Sequence, residues 1–368
     1  MKIDVILPYK EIFSEESASA VSLTVKNSIE FSKFKKNIYV YGQHTLKPFY
    51  KNNFVGIKTN KLLHFSNNLS IVKNYLKLRQ KKINENKLIE IHNRPYLFNF
   101  INKHLPNEPI ALYYHNDATT MKGSKSKKER MNIIKNAAAI IFVSKYIKNQ
   151  FLKDIKGNYN NLYVLPNGIK KKFNHKIKKQ KLVLFVGRLV EEKGIHIFVE
   201  AIKKIYKQFP DWKFFVIGAS KAGQINLKTK YEKNNINSLL LLGNQAKYLG
   251  FIPNYKVKEV MQKSSILVVP SVWDDPFPLT ALEGLASGQA VVASERGGLP
   301  EMIKDNGILI RGIDENKLAS KLKELIMNDK KLLYYQTKAL DNFEYDQSNI
   351  SKKQDIIREK IIKNFFNL

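Results

Sequence analysis

The sequence predicts an α/β chain of two doubly wound domains, each a parallel sheet covered on both faces by helices. Three observations carry that reading. Near-continuous apolar runs alternate with helix-period segments from end to end, as expected of strands buried on both faces. The alternation stops once, in a Lys-rich polar stretch at 170–181, and then restarts. The length of 368 residues exceeds what one core normally spans, since chains beyond ~250–300 residues divide into domains.

In the first half, strands are read at 3–8 (IDVILP), 37–42 (NIYVYG), 88–92 (LIEIH), 110–115 (IALYYH), 139–144 (AIIFVS) and 161–166 (NLYVLP). The second half continues with 182–187 (LVLFVG), 213–218 (KFFVIG), 265–270 (SILVVP), 290–294 (AVVAS) and 307–310 (GILI). Helical spacing fills the gaps, for example at 199–208 and 317–327. Pro166 and Gly168 break both periodicities, and nothing from 169 to 180 is patterned for a core. The domains are therefore read as 1–168 and 181–345, with a linker at 169–180. A basic amphipathic helix at 351–366, within a last segment 346–368, is expected to pack back across the junction.

The formal charge is +31, from 63 Lys+Arg against 32 Asp+Glu. Such an excess suits nucleic acid or an anionic membrane. Here it is mostly Lys, spread along the whole chain with Asn and Ile, and no basic arm or aromatic-interleaved basic strand offers to stack bases. Nucleic acid is not expected, while peripheral contact with anionic lipid stays open. The absence of cysteine excludes disulfides and thiolate metal sites. No apolar run reaches the ~18–20 residues of a membrane span, and no charged leader with an apolar core precedes the first strand. The expectation is a cytoplasmic protein, with the inner face of the membrane as the place where its lysines would meet lipid.

Open parallel sheets bind ligands beyond the carboxyl ends of their strands. Gly187 ends one such strand, and Arg188 and Lys193 flank the turn that follows. Both cations could reach one diphosphate, Arg as a fork and Lys as a point charge; the alternative is two solvated surface cations. The stretch 271–303, SVWDDPFPLTALEGLASGQAVVASERGGLPEMI, supplies the other half of a site. Pro276 and Pro278 stiffen a loop leading into a helix that starts near Leu279 or Thr280. The free N–H groups and dipole of that helix suit an anion. Phe277, Leu279 and Thr280 lie at this junction and join the candidate binding set. Asp275 would face a sugar, and Glu283 a ribose diol, because a carboxylate accepts two hydroxyl hydrogen bonds. Gly284, Ala286 and Gly288 favour close packing around Glu283. The pair Asp274–Asp275 has no third ligand at a readable spacing, so no metal is expected. GGLPEMI (297–303) is a glycine turn that either lines the site or packs it.

FVGRLVEEKG, VVPSVWDDPFPLTALEGLASGQAVVAS and GGLPEMI, with YVLPNGI at the hinge, resemble the signature blocks of retaining glycosyltransferases of family four, over nearly the whole chain. The resemblance implies the GT-B fold: two Rossmann-like domains with a cleft between them and a C-terminal crossover helix. It implies that Arg188 and Lys193 bind the donor diphosphate, Glu283 the ribose and Asp275 the donor sugar. Asp275 stands where the family usually has Glu and is one methylene shorter. HNRP at 92–95 and YYHNDATTMKGSKSKKER at 113–130 resemble loops of bacterial lipopolysaccharide and polysaccharide transferases. This puts His92, Asn93, Arg94, Asn116 and Asp117 on the acceptor side. His115 or Asp117 would contact the donor sugar or the acceptor hydroxyl, and His115 joins Arg188, Lys193 and Asp275 as a candidate catalytic residue. Ser19 and Ala20 stand where the family often has glycine near the phosphates.

The implied reaction moves a hexose or N-acetylhexosamine, with retention, from a UDP-sugar to a glycan or lipid-linked acceptor, without cofactor or metal. Two other readings remain open. One is a nucleotide-sugar epimerase or hydrolase on the same fold, and the other a polyanion- or membrane-binding protein with a vestigial pocket.

Overall fold

The computed structural model describes residues 2–16, 18–60, 66–80, 87–171, 177–221, 223–224 and 226–366. The chain forms two compact units, Met1–Gly168 together with Tyr345–Leu368, and Ile169–Glu344. Part of the segment read as a linker, 172–176, lies outside the described residues.

In the first unit, β1 (Lys2–Ile6), β2 (Ile38–Gln43), β3 (Phe54–Ile57), β4 (Lys87–His92), β5 (Ile110–Tyr114), β6 (Ala139–Phe142) and β7 (Leu162–Val164) form one sheet ordered β3-β2-β1-β4-β5-β6-β7. All pairs are parallel, and Val5 of β1 lies between Val40 and Glu90. Ile3, Val5 and Leu7 meet Val25 and Ile29 of the Ala20–Glu30 helix and Ile350 and Ile361 of the C-terminal helix in one core. In the second unit, β8 (Gln180–Val186), β9 (Lys213–Ile217), β10 (Ala246–Tyr248), β11 (Ser264–Val269), β12 (Ala290–Ser294) and β13 (Ile308–Ile310) are ordered β10-β9-β8-β11-β12-β13. Counted within the unit this is 3-2-1-4-5-6, the Rossmann order. Its core joins Val183, Phe185 and Val268 to Phe198 and Ile202 of the Ile195–Ile205 helix. Both units are thus Rossmann-like, as the apolar runs indicated.

Two strands escaped the sequence reading. β3 (FVGI) and β10 (AKY) are edge strands of four and three residues, largely outside the core, so neither needs an apolar run. Three helices also start earlier than read, at Ile195, Glu315 and Gln347. The helix read at 199–208 spans Ile195–Ile205 and ends in a tighter turn, Tyr206–Gln208.

The C-terminal helix spans Gln347–Phe366 and belongs to the first unit. Beyond its apolar contacts, it is held there by polar groups that a hydropathy pattern hides. Glu90 sits in the middle of β4 and is 1% exposed, a position where an unpaired carboxylate would be costly. Arg358 of the C-terminal helix, equally buried, donates from Nε to Glu90 Oε1 and from Nη2 to Glu90 Oε2, both at 2.8 Å. Tyr113 OH donates to the same carboxylate at 2.9 Å, and Gln354 Nε2 donates to Tyr113 OH at 3.0 Å. Asp355 accepts from Arg358 Nη1 at 3.0 Å, from Ser32 Oγ at 2.8 Å and from the Lys33 N–H at 2.8 Å.

Among the described residues, no helix is long and apolar enough to cross a membrane.

Candidate active site

In a doubly wound sheet the crevice opens where strand order reverses. In the second unit that point lies between β8 and β11, and the loops after these two strands are the ones singled out by sequence. Gly187 follows β8 directly. Gly218, after β9, takes φ +134° and passes so close to Gly187 O that an added Cβ would overlap it. Arg188 is exposed and has no ion-pair partner among the described residues. Gly194 adopts φ +70°, and its missing Cβ makes room for Pro270 O at the end of the facing strand. Val272 N donates to Glu192 O at 3.0 Å, so the two loops are pinned together.

That pinning brings together Lys193 and Asp275, 82 residues apart in sequence. Lys193 Nζ forms an ion pair with Asp275 Oδ2 and lies 5.5 Å over the Trp273 ring. The sequence reading gave the cation to a diphosphate and the carboxylate to a sugar; here each is the other's partner. Trp273, 40% exposed, was not singled out. An indole left in a loop beside two aspartates was the signal available.

The glycine turn packs the same loop. Gly298 N donates to Asp275 O at 2.8 Å, and a Cβ at Gly297 (φ +57°) or Gly298 would overlap the Asp275 or Pro276 carbonyl. Of the two readings of GGLPEMI, packing is the one these contacts describe. Asp274 is held by Arg296 Nε at 3.0 Å.

The Leu279–Ala286 helix starts at Pro278, which offers no side-chain cap to its first N–H groups. Leu279 and Thr280 are half-buried at this end, whereas the Phe277 side chain is buried. Glu283, one turn in, is also half-buried. Burial pushes its carboxyl above the usual range, offset in part by the charge of Lys258 and by Asn254 Nδ2 at 3.5 Å. Gly284 beside it has no room for a Cβ because Leu267 of β11 fills the space. Asn254 starts the Asn254–Lys263 helix, where Phe251 just before it and Tyr255 within it are large exposed aromatics. Sequence reasoning passed over both because single exposed apolar residues are common.

In the first unit, the loops after β1, β4 and β5 gather the other candidates. His92 ends β4 buried, with its ring stacked on Tyr113 at 4.5 Å and near-parallel to the His115 ring, the two centroids 5.1 Å apart. His92 Nδ1 and His115 Nε2 are 2.8 Å apart. Asn93 adopts φ +54°, a region Asn tolerates, and its Oδ1 accepts the His115 N–H at 2.8 Å. Arg94 Nη1 donates to Asn93 O at 2.6 Å. Asn116 is exposed. Asp117 is used locally: its Oδ1 accepts from Thr119 N and Thr119 Oγ1, both at 2.8 Å, capping a short turn. Ser19 is likewise the N-cap of the Ala20–Glu30 helix, in a reciprocal arrangement with Ser22, so its hydroxyl is already engaged. Ala20 is the first, exposed residue of that helix.

Burial is the main reason both imidazoles resist protonation. It pushes His92 down to about 3, with the Arg358 charge adding to the effect, and His115 well below its usual value. An unfolded His takes up its proton near pH ~6.5, so the native state loses stability as pH falls through and below that value. For His92 alone the loss at pH 5 is about 2 kcal/mol. The melting temperature is therefore expected to drop from pH 7.5 to pH 5, and His92→Phe to flatten that slope.

Residues 168–341 match the family model described as glycosyl transferases group 1. That match nearly fills the second unit, Ile169–Glu344. An uncharacterized glycosyltransferase of Methanocaldococcus jannaschii, MJ1178, is 34% identical over 223 residues, which is 60% of this chain and 59% of that protein. A lipopolysaccharide 1,2-N-acetylglucosaminetransferase of Salmonella typhimurium is 24% identical over 60% of this chain and 58% of its own length. The structure of Anabaena Alr3699/HepE in complex with UDP superposes with a TM-score of 0.78 at 17% identity, over 98% of this chain and 100% of that one. The fold is therefore GT-B.

Proposed function

We propose that the protein is a glycosyltransferase that moves a sugar, with retention of configuration, from a nucleotide-diphosphate sugar to a glycan or lipid-linked acceptor. The observation that carries this reading is the convergence at the second unit's switch point: Arg188 with no ion pair among the described residues, the Lys193–Asp275 pair, an uncapped helix N-terminus, and Glu283 one turn inside that helix. A diphosphate there meets two cations and free N–H groups, enough to stabilise charge on the leaving group without a metal. Glu283, short of partners, receives the ribose hydroxyls, and Asp275 lies within reach of the sugar once the diphosphate takes Lys193. Phe251 and Tyr255 offer apolar faces for the base.

In the proposed reaction the bond between the sugar and the phosphate oxygen breaks, and its electron pair leaves with the diphosphate. The acceptor oxygen bonds to the sugar on the same face, and its proton passes to the departing phosphate. No carboxylate nucleophile is required.

A UDP-hexose or UDP-N-acetylhexosamine donor is supported by the UDP bound to the Anabaena protein and by the N-acetylglucosamine transfer for which the Salmonella relative is named. The latter also supports a role in lipopolysaccharide or polysaccharide synthesis. A cytoplasmic location, with the lysine-rich surface resting on anionic lipid, completes the proposal. An epimerase or hydrolase would instead consume donor without acceptor.

A thermal-shift screen of nucleotide diphosphates and sugar nucleotides tests the reading. UDP and one UDP-sugar should raise the melting temperature by mass action, and no response to any nucleotide diphosphate would sink the donor site. Glu283→Gln should separate two effects. It removes a desolvated carboxylate, so the free protein should melt no lower than wild type. It also removes charge-assisted bonds to the ribose worth about 1.5–3 kcal/mol, so nucleotide Kd should rise about 10- to 100-fold.

A further inference from the structure

The two histidines can share their protons in only two ways, and the surroundings choose between them. Both rings are neutral, so a single proton lies between His92 Nδ1 and His115 Nε2, 2.8 Å apart. If His92 donates it, His92 Nε2 is a bare lone pair and His115 carries its own proton on Nδ1. If His115 donates it, His92 Nε2 carries an N–H and His115 Nδ1 is bare.

His92 Nε2 decides the case. It is buried and has no hydrogen-bond partner among the described residues. The ring lines a small cavity with Tyr113, Asn167, Gln347 and Gln354. Gln354 Nε2 is committed to Tyr113 OH, the carboxylates of Glu90 and Asp355 to Arg358, and Gln347 Oε1, though itself without a partner among the described residues, makes no hydrogen bond to His92 Nε2. A buried nitrogen without a partner is better left as a bare lone pair than as an N–H, because a buried N–H is the group that folded proteins most rarely leave orphaned.

We infer that His92 is a positioning residue: its Nδ1–H donates to His115 Nε2 and thereby commits His115 to present an Nδ1–H, a neutral donor for an oxygen of the bound sugar or acceptor. His115 Nδ1 has no partner among the described residues and is not sealed off as His92 Nε2 is. Asn93, through the His115 N–H, and Tyr113, through the stacked His92 ring, hold the pair in place. His115 is then a donor rather than a base, which leaves the acceptor's proton to the departing phosphate. What is bound rests on the transferase reading, whereas the tautomer does not.

The test uses the full chain labelled with 15N-histidine. Two-bond 15N–1H spectra, assigned with His92→Asn and His115→Asn, should show both rings neutral and protonated on Nδ1 from pH 6 to 8. A His115 protonated on Nε2 would overturn the inference. In kinetics, His92→Phe keeps a stacked ring without the donor, while His92→Asn keeps an N–H near the Nδ1 position. With folding checked by melting temperature, His92→Phe should lower kcat by about 10- to 100-fold with little change in donor KM. His92→Asn should stay within a few-fold of wild type. Equal losses in the two variants, or none in His92→Phe, would also overturn it. If no sugar nucleotide is turned over at all, the transferase reading fails, and the spectra still decide the tautomer.

Discussion

Arg188→Ala is expected to lower kcat/KM by about 10²–10³-fold, the scale of removing one preorganised donor from developing negative charge. Arg188 makes no ion pair among the described residues and is exposed, so the same change should move stability by no more than about 0.5 kcal/mol. That combination separates a ligand-binding cation from a structural one. Steady-state kinetics with the donor found by thermal shift, and a denaturation curve of the same variant, measure both halves. Arg188→Lys should recover only part of the activity, because a point charge cannot reproduce a two-pronged contact with a diphosphate. Wild-type turnover in Arg188→Ala would remove the diphosphate from this loop. Lys193→Ala is a less clean experiment, since it also leaves Asp275 without its partner.

Arg358→Met is expected to destabilise the protein by about 3–5 kcal/mol, the usual cost of removing one side of a buried ion pair. Among the described residues the variant leaves Glu90 facing Tyr113 OH alone, and Asp355 facing Ser32 Oγ and the Lys33 N–H. Urea denaturation should show the loss. The double variant Arg358→Met, Glu90→Gln should recover part of it, because the uncompensated charge on β4 is then gone. A single variant as stable as wild type would mean that apolar packing by Ile350 and Ile361, and not the network, holds the helix.

The parts of the fold readable from sequence are those where one physical demand dominates. β4, β5, β11 and β12 are buried along their whole length, and β4 and β11 keep enough apolar residues around their buried polar ones, so all four were found. β3 and β10 lie at sheet edges and carry Gly56 and Lys247, which no burial demand forbids. Gly284 was readable as close packing, and Leu267 fills the space its side chain would need. Lys179 was not readable. It falls in the linker read at 169–180, yet burial pushes its ammonium down to about 7, and Nζ donates to Ser287 O at 2.7 Å.

The sequence by itself determined the fold class, the two series of parallel strands, and the two loops that supply Arg188, Lys193, Asp275 and Glu283. Each depends on neighbours in the chain: an apolar run, a glycine where a strand ends, a proline ahead of a helix. Tertiary structure alone decided that Lys193 closes on Asp275 over Trp273, that Arg358 neutralises Glu90 from the far end of the chain, and that His92 reaches His115. Strand order sets which loops face each other, and charges separated by a sheet's width of sequence leave no periodicity to read.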